Sequence, residues 1–303
     1  MSWNTSSIPD QTGRIAVVTG ANSGLGLETA QVLAKKGATV ILACRNAAKA
    51  DDAMREIRQS VPNAKLEFVR LDLASQSSVK EAASELRQRY PVIDLLINNA
   101  GVMWLEEGRT EDGFERHLGT NHFGHFTWTL LLLPSMVNVV GSRIVTVSSL
   151  AHRSGYLALD DIEQARNYTK HGAYGVSKFA NLIFALELER RLRAAHAETL
   201  SIACHPGISG TNLANEWSGS GLLARIGVKF FPLISQSAAS GALPSLYAAT
   251  AAGVQGGSYW GPRRYEMFGE PAPAKTRGRA KDLQLAADFW ALSEKMTGVC
   301  YPG

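Results

Sequence analysis

The sequence predicts a single α/β domain, a doubly wound parallel sheet of about seven strands with helices on both faces. Three observations lead there. Short, continuous apolar runs recur along the chain, separated by stretches with helical periodicity. The first of these runs, residues 14–19, lacks the apolar–polar alternation of a half-buried strand, as expected where both faces of a sheet are covered. Three glycines, Gly20, Gly24 and Gly26, fall between the first run and the first helical stretch, where a tight turn must feed a helix.

Residues 14–19 form the first strand, 20–26 the turn and 27–36 a helix closed by Gly37. A second strand over 38–44 leads to a helix over 47–60 that stops before Pro62, and a third strand covers 65–70. Residues 76–90 are helical, with Ser75 as N-cap and Pro91 as stop, and 93–98 make the fourth strand. A long helical segment over 112–139, a strand over 143–147, a helix carrying Tyr174 and a strand over 200–204 follow. After a loop-rich region at 206–235 come a helix over 238–249, a last short strand around Tyr259 and a closing helix over 286–299. Strands alternating with helices specify parallel pairing with right-handed crossovers, the Rossmann-type arrangement, whose ligands bind beyond the carboxyl ends of the strands. With no internal repeat or low-complexity linker in 303 residues, one domain is expected. Within it, 13–205 reads as the cofactor-binding and catalytic core, 206–235 as a substrate lid and 257–303 as a C-terminal strand, loop and helix.

The bulk composition excludes several classes. Hydrophobic residues make up 45% and charged residues 19%, ordinary for a globular chain, and the formal charge of +4 is mild. The densest basic stretch, Arg263, Arg264, Lys275, Arg277, Arg279 and Lys281, is interrupted by Pro271, Pro273 and acidic residues. It reads as solvated loop and not as a nucleic-acid site. Three cysteines, Cys44, Cys204 and Cys300, are scattered with no paired spacing. That speaks against a disulfide framework and a zinc site, and suits a reducing compartment. The most apolar run, 126–140, is short and interrupted by Thr129, Pro134, Ser135 and Asn138, so a transmembrane segment is not expected. With no signal-peptide pattern at the start, a cytoplasmic location is expected.

Two constellations carry chemistry. The turn Thr19-Gly20-Ala21-Asn22-Ser23-Gly24-Leu25-Gly26 allows close backbone approach to a pyrophosphate at a helix N-terminus, where free N–H groups and the dipole favour anions. Further on, Tyr174 and Lys178 stand four apart on a helix and so share a face. A neighbouring cation lowers a titratable group's pKa by roughly 1–3 units, which would bring a phenol toward acid/base use near neutrality. At the end of the second strand, an NAD site places an acid on the ribose hydroxyls. This chain has Ala43-Cys44-Arg45-Asn46 instead, with no acid before Asp51. The guanidinium of Arg45 suits a 2′-phosphate, which favours NADP(H) over NAD(H).

Together these segments resemble the short-chain dehydrogenase/reductase family, whose hallmarks are Thr-Gly-x-x-x-Gly-x-Gly and Tyr-x-x-x-Lys. The resemblance runs from about residue 9 to the end, and Asn98-Asn99-Ala100-Gly101 matches a further family signature. The segment between Ser149 and Tyr174 is longer than in the shortest members, which resembles the subgroup of retinol dehydrogenases and bacterial carbonyl reductases. The resemblance implies a catalytic set of Asn121, Ser149, Tyr174 and Lys178. Tyr174 would exchange the proton; Lys178 would also bind the nicotinamide ribose; Ser149, chosen over Ser148, would orient the substrate oxygen; Asn121 would help hold a water near the lysine. It also implies cofactor contacts from Gly20, Asn22, Ser23, Gly24, Leu25 and Gly26 at the phosphates. Arg45, Asp72 and Leu73 would lie at the adenosine, Asn99, Ala100 and Gly101 at the ribose, and Pro206, Gly207, Ile208 and Thr211 near the nicotinamide and phosphates. His122 and His125 read as packing histidines with no metal role.

Substrate shape is left to the variable segments 102–107, 150–170 and 211–235. Met103, Trp104, Tyr156 and Tyr168, with Trp217 and Phe230, suggest an apolar pocket under a lid, with Ser149 at its base. The expected activity is hydride transfer between NADP(H) and the carbonyl or alcohol of a hydrophobic small molecule. Two alternatives stay open: a non-catalytic NADP(H)-binding regulator, and an epimerase or dehydratase on the same fold. Family members dimerise through helices corresponding to 112–139 and 171–193, so a homodimer and a monomer are both compatible with the resemblance.

Overall fold

The computed structural model describes residues 3–164, 166–208, 236–276 and 278–302. In chain order its main elements are β1 (Ile15–Thr19), α1 (Gly24–Lys35), β2 (Thr39–Cys44), α2 (Ala47–Ser60), β3 (Lys65–Arg70), α3 (Gln76–Arg89) and β4 (Leu95–Asn98). There follow α4 (Arg116–Leu118), α5 (Gly124–Leu132), β5 (Arg143–Val147), α6 (Lys170–Ala194) and β6 (Leu200–Cys204). The described chain closes with α7 (Ala238–Thr250), β7 (Tyr259–Arg264), β8 (Phe268–Pro273) and α8 (Leu283–Thr297).

The strands form one sheet in the order β3-β2-β1-β4-β5-β6-β7-β8. Every pairing is parallel except β7 with β8, which is antiparallel. The eighth strand goes beyond the seven expected. It carries Pro271 and Pro273 and lies at the sheet edge, where a residue without an N–H costs no ladder bond. Residues alternate between the two helical layers. Ala16, Val18, Val40 and Leu42 face α1, α2 and α7, while Val17 and Ile41 face α3, α5 and α6. Both faces of the central strands are buried, which is why they read as unbroken apolar runs.

Several boundaries differ from the sequence reading, three of them in helices. Helix α1 begins at Gly24, three residues earlier than expected. The 112–139 segment is not one helix: it breaks into α4, a π-helical turn over Gly119–Phe123, α5 and a 3₁₀ turn. Helix α8 starts and ends before the expected 286–299. It packs on α5 and α6, where Trp290 stacks on Phe184 at 5.8 Å and meets Phe126 edge-on at 5.1 Å. All of α5 except the half-buried Leu131 is buried within one chain. Helix α8 thus lies against parts of both segments named for a possible homodimer, within the same chain.

The chain reverses strand order between β1 and β4, and the site lies at the carboxyl ends of the strands flanking that point. Residues 209–235, most of the expected lid, lie outside the described residues, with Thr211, Trp217 and Phe230. Among the described residues no helix is long and apolar enough to cross a membrane.

Candidate active site

A cleft of about 760 Å³ runs along the carboxyl edge of the sheet. At one end stand Arg45 and Asp72, at the other Ser149, Tyr174, Lys178 and Ile208. The glycine turn forms its floor. Gly20 and Gly24 adopt left-handed φ angles of 67° and 54°, which glycine takes without strain. At Gly26 a Cβ would stand 2.3 Å from the Gly20 carbonyl oxygen and 2.6 Å from Asn99 Nδ2, so the first turn of α1 rests directly on the loop. Ser23 occupies the N-cap without forming a side-chain cap. The first N–H groups of α1 therefore point toward the cleft uncapped, an arrangement suited to a phosphate. The residues present fit a dinucleotide.

Thr19 ties this turn to the next loop. Its Oγ1 accepts the N–H of Asn99 and of Ala100, each at 2.9 Å, and lies 2.9 Å from His125 Nε2. Asn99 Nδ2 donates back to the Thr19 carbonyl at 2.9 Å. His125 Nδ1 is 2.9 Å from the Asn121 carbonyl, which can only accept, so Nδ1 carries the proton. Burial lowers the His125 pKa to about 4, leaving the ring neutral and Nε2 free to accept the Thr19 hydroxyl proton. The packing histidine of the sequence reading thus orients a hydroxyl that holds two backbone groups of the Asn98–Gly101 loop.

Helix α6 starts at Thr169, whose side chain accepts the Gly172 N–H at 3.0 Å, and this sets Tyr174 and Lys178 on the face toward the cleft. Lys178 Nζ lies 5.9 Å from the centre of the Tyr174 ring and donates to the Val147 carbonyl at 3.1 Å. Gly101 faces the ammonium; a Cβ there would come within 3.2 Å of Nζ. Burial brings the Lys178 pKa down to about 8. Ser149 follows β5 and accepts the Ala151 N–H at 3.2 Å, so its own proton remains to be donated. The Ser148 hydroxyl, in contrast, donates to the Lys178 carbonyl at 2.7 Å. Beneath Ser149, His152 Nδ1 holds the Ser149 carbonyl at 2.7 Å.

Asn121 is fully buried in the π-helical turn and does not line the cleft. Its Oδ1 accepts the Val102 N–H at 2.7 Å, while Nδ2 donates to the Val102 carbonyl and to Ser177 Oγ, both at 2.9 Å. Its side chain is committed to clamping a loop. Arg45 and Asp72 face each other at 3.9 Å at their end of the cleft. Leu73, Asn22, Leu25, Pro206 and Gly207 also line the cleft.

Of the residues expected at the substrate, Met103 and Trp104 line the cleft with Ser149, and Tyr156 and Tyr168 do not. Tyr156 is 63% exposed outside it. The Tyr168 hydroxyl donates to the Leu105 carbonyl at 2.9 Å, behind the cleft wall. His171, one turn before Tyr174, lines the cleft and is not among the residues expected there, and Leu150, Ala151 and Ser154 line it within the 150–170 segment expected to shape the substrate site. Their proximity in sequence to Tyr174 and Ser149 was the available signal.

The family model described as short chain dehydrogenase matches residues 14–220. Retinol dehydrogenase 13 of Homo sapiens is 38% identical over 296 residues, covering 96% of this chain and 86% of that protein. Polyprenol dehydrogenase of Mus musculus is 37% identical over 298 residues, with the same coverage of each. A crystal structure of an uncharacterized protein from Mycobacterium paratuberculosis superposes over 100% of both chains with a TM-score of 0.83 at 40% identity. A short chain dehydrogenase from Shigella flexneri complexed with NADP shares the fold, with a TM-score of 0.65 at 22% identity over 84% of this chain and 97% of that one. The chain belongs to the short-chain dehydrogenase/reductase family. Members are oxidoreductases that act on an alcohol or carbonyl with a nicotinamide cofactor.

Proposed function

We propose that the protein is an NADP(H)-dependent oxidoreductase of apolar alcohols or carbonyl compounds, with Tyr174 as the acid/base. The observation that carries this reading is the pairing of Tyr174 and Lys178 on one face of α6, opening on the same cleft as Ser149 and the glycine turn. When bound, the nicotinamide supplies or takes up the hydride. The Tyr174 hydroxyl gives its proton to the substrate oxygen during reduction and takes it back during oxidation. Lys178, in its charged form, favours the tyrosinate left behind. Ser149 donates a hydrogen bond to the same oxygen and steadies the charge that develops on it. Asn121 acts at one remove, by holding Val102 and so the cleft wall.

Arg45 supports the cofactor preference. Three-quarters exposed at the adenosine end, it is placed to meet a 2′-phosphate, with Asp72 opposite holding the guanidinium near the cleft. The apolar lining from Met103, Trp104, Leu105 and Leu150, together with relatives named for retinol and polyprenol, supports an apolar substrate.

The test is a panel of aldehydes, ketones and alcohols with NADPH, NADP⁺, NADH or NAD⁺, followed at the nicotinamide absorbance. Turnover of apolar members with the phosphorylated cofactor is expected. Tight cofactor binding without turnover of any member would favour the regulator. In Arg45→Asp, the Kd for NADPH should rise at least tenfold with little change for NADH, since a carboxylate would then face both Asp72 and the phosphate; equal affinity for NADPH in parent and variant would remove Arg45 from the assignment.

A further inference from the structure

The wall of the cleft at Met103 and Trp104 is a loop held by side chains that do not themselves line the cleft. Asn121 grips both the N–H and the carbonyl of Val102, at 2.7 and 2.9 Å. Three residues on, Leu105 is gripped the same way by two other side chains. Its N–H donates to His117 Nε2 at 3.1 Å, and its carbonyl accepts the Tyr168 hydroxyl at 2.9 Å.

His117 is itself locked. With Nε2 accepting, the proton sits on Nδ1, which donates to Glu115 Oε1 at 2.9 Å. Both side chains are buried, at 0% and 3% exposure. The Glu115 carboxylate also accepts the His117 and Leu118 N–H groups at 2.8 and 2.7 Å, so it caps α4 while it orients the imidazole. A buried carboxylate–imidazole pair with every partner supplied is a rigid support.

Between the two grips, Met103 and Trp104 face the cleft. Trp104 has a left-handed φ of 54°, a conformation that a bulky residue adopts only where its surroundings impose it. Its indole packs on His171 with ring centres 5.0 Å apart, one helical turn before Tyr174. The indole is therefore fixed at three points: the backbone before it, the backbone after it, and the imidazole under it.

We propose that this loop is a fixed size filter, with Trp104 as the specificity-determining residue and Glu115, His117, Tyr168 and Asn121 as positioning residues. The inference rests on the reading that the cleft turns over a carbonyl or alcohol at Tyr174. Because the wall cannot swing aside, it excludes substrates branched next to the reacting carbon and admits unbranched ones.

The experiment compares kcat/KM for pivaldehyde and hexanal, with NADPH, in the parent and in Trp104→Ala, His117→Phe and His117→Gln. Trp104→Ala should raise the pivaldehyde-to-hexanal ratio at least tenfold. His117→Phe leaves the Leu105 N–H without its acceptor and should raise the ratio at least threefold. Gln at the same position still offers an oxygen to that N–H and should keep the ratio within twofold of the parent. NADPH Kd should stay within twofold throughout, a readout that a general loss of structure would move. If His117→Phe fails to fold, Tyr168→Phe, which removes the bond to the Leu105 carbonyl and a longer contact of 3.4 Å with His117 Nδ1, takes its place with the same expectation. An unchanged ratio in Trp104→Ala, with turnover intact, overturns the filter. Tyr174→Phe, assayed alongside, separates the two claims: its turnover of either aldehyde counts against the reading of the site and not against the filter alone. A parent inert to both aldehydes overturns both.

Discussion

Lys178 is the residue whose environment is costliest and most informative. Its ammonium is buried, with the Val147 carbonyl as acceptor, and its pKa falls to about 8 from the ordinary 10.5. The depressed value has a thermodynamic sign. Between about pH 8 and 10.5 the unfolded chain holds a proton here that the folded chain does not, so this group makes stability rise with pH. The slope is at most about 1.4 kcal/mol per pH unit. Urea unfolding of the cofactor-free protein across that window should show stability rising more steeply in the parent than in Lys178→Met. Equal slopes in the two proteins would mean that the lysine is solvated. In the proposed reading, a bound anion or a tyrosinate nearby would hold Lys178 in its charged form to higher pH and so couple cofactor and acid/base through one side chain.

At the scale of the element, the turn leading into α1 shows how backbone packing builds a binding surface. Gly26→Ala places a methyl 2.3 Å from the Gly20 carbonyl oxygen, which has no side chain to move aside. We expect a loss of about 1–3 kcal/mol in stability and a rise of at least tenfold in the NADPH Kd; a variant with both values unchanged would mean that the turn yields. This element was legible in the sequence because its determinants are consecutive, and the same holds for the central strands that read as apolar runs. What was not legible depends on partners distant in the chain. The bond from Thr19 to His125 spans 106 positions, so a histidine that looked like packing turned out to direct a hydroxyl. Strand β8, with Pro271 and Pro273, was not expected from the sequence, and its edge position makes the two prolines tolerable. The break of 112–139 into α4, a π-helical turn and α5 is invisible to helical periodicity, which reads through it. Tyr156 and Tyr168 sit in the right segment, yet which way a side chain points from a long connection is set by packing and not by local pattern.

For the molecule as a whole, α8 closes the structure. Phe289 and Trp290 are buried against α5, α6 and the π-helical turn, His122 Nε2 meets Ser293 Oγ at 3.0 Å, and Arg191 lies over the Trp290 ring at 4.4 Å. The tail therefore stabilises the π-helical turn that bears Asn121 and the helix α6 that bears Tyr174 and Lys178. Trp290→Ala should cost about 3–5 kcal/mol in urea unfolding, and a loss below 1 kcal/mol would mean that α8 is dispensable to the fold.

Tyr174 is proposed to move the proton, with every other described part of the cleft serving to bring a carbonyl and a nicotinamide to it. Tyr174→Phe keeps the ring and removes only the hydroxyl. With NADPH and an aldehyde that the parent reduces, the variant should lose at least a thousandfold in kcat while its NADPH Kd stays within about threefold, a change worth less than 1 kcal/mol. Reduction at the parent rate, with NADPH bound normally, would contradict the claim.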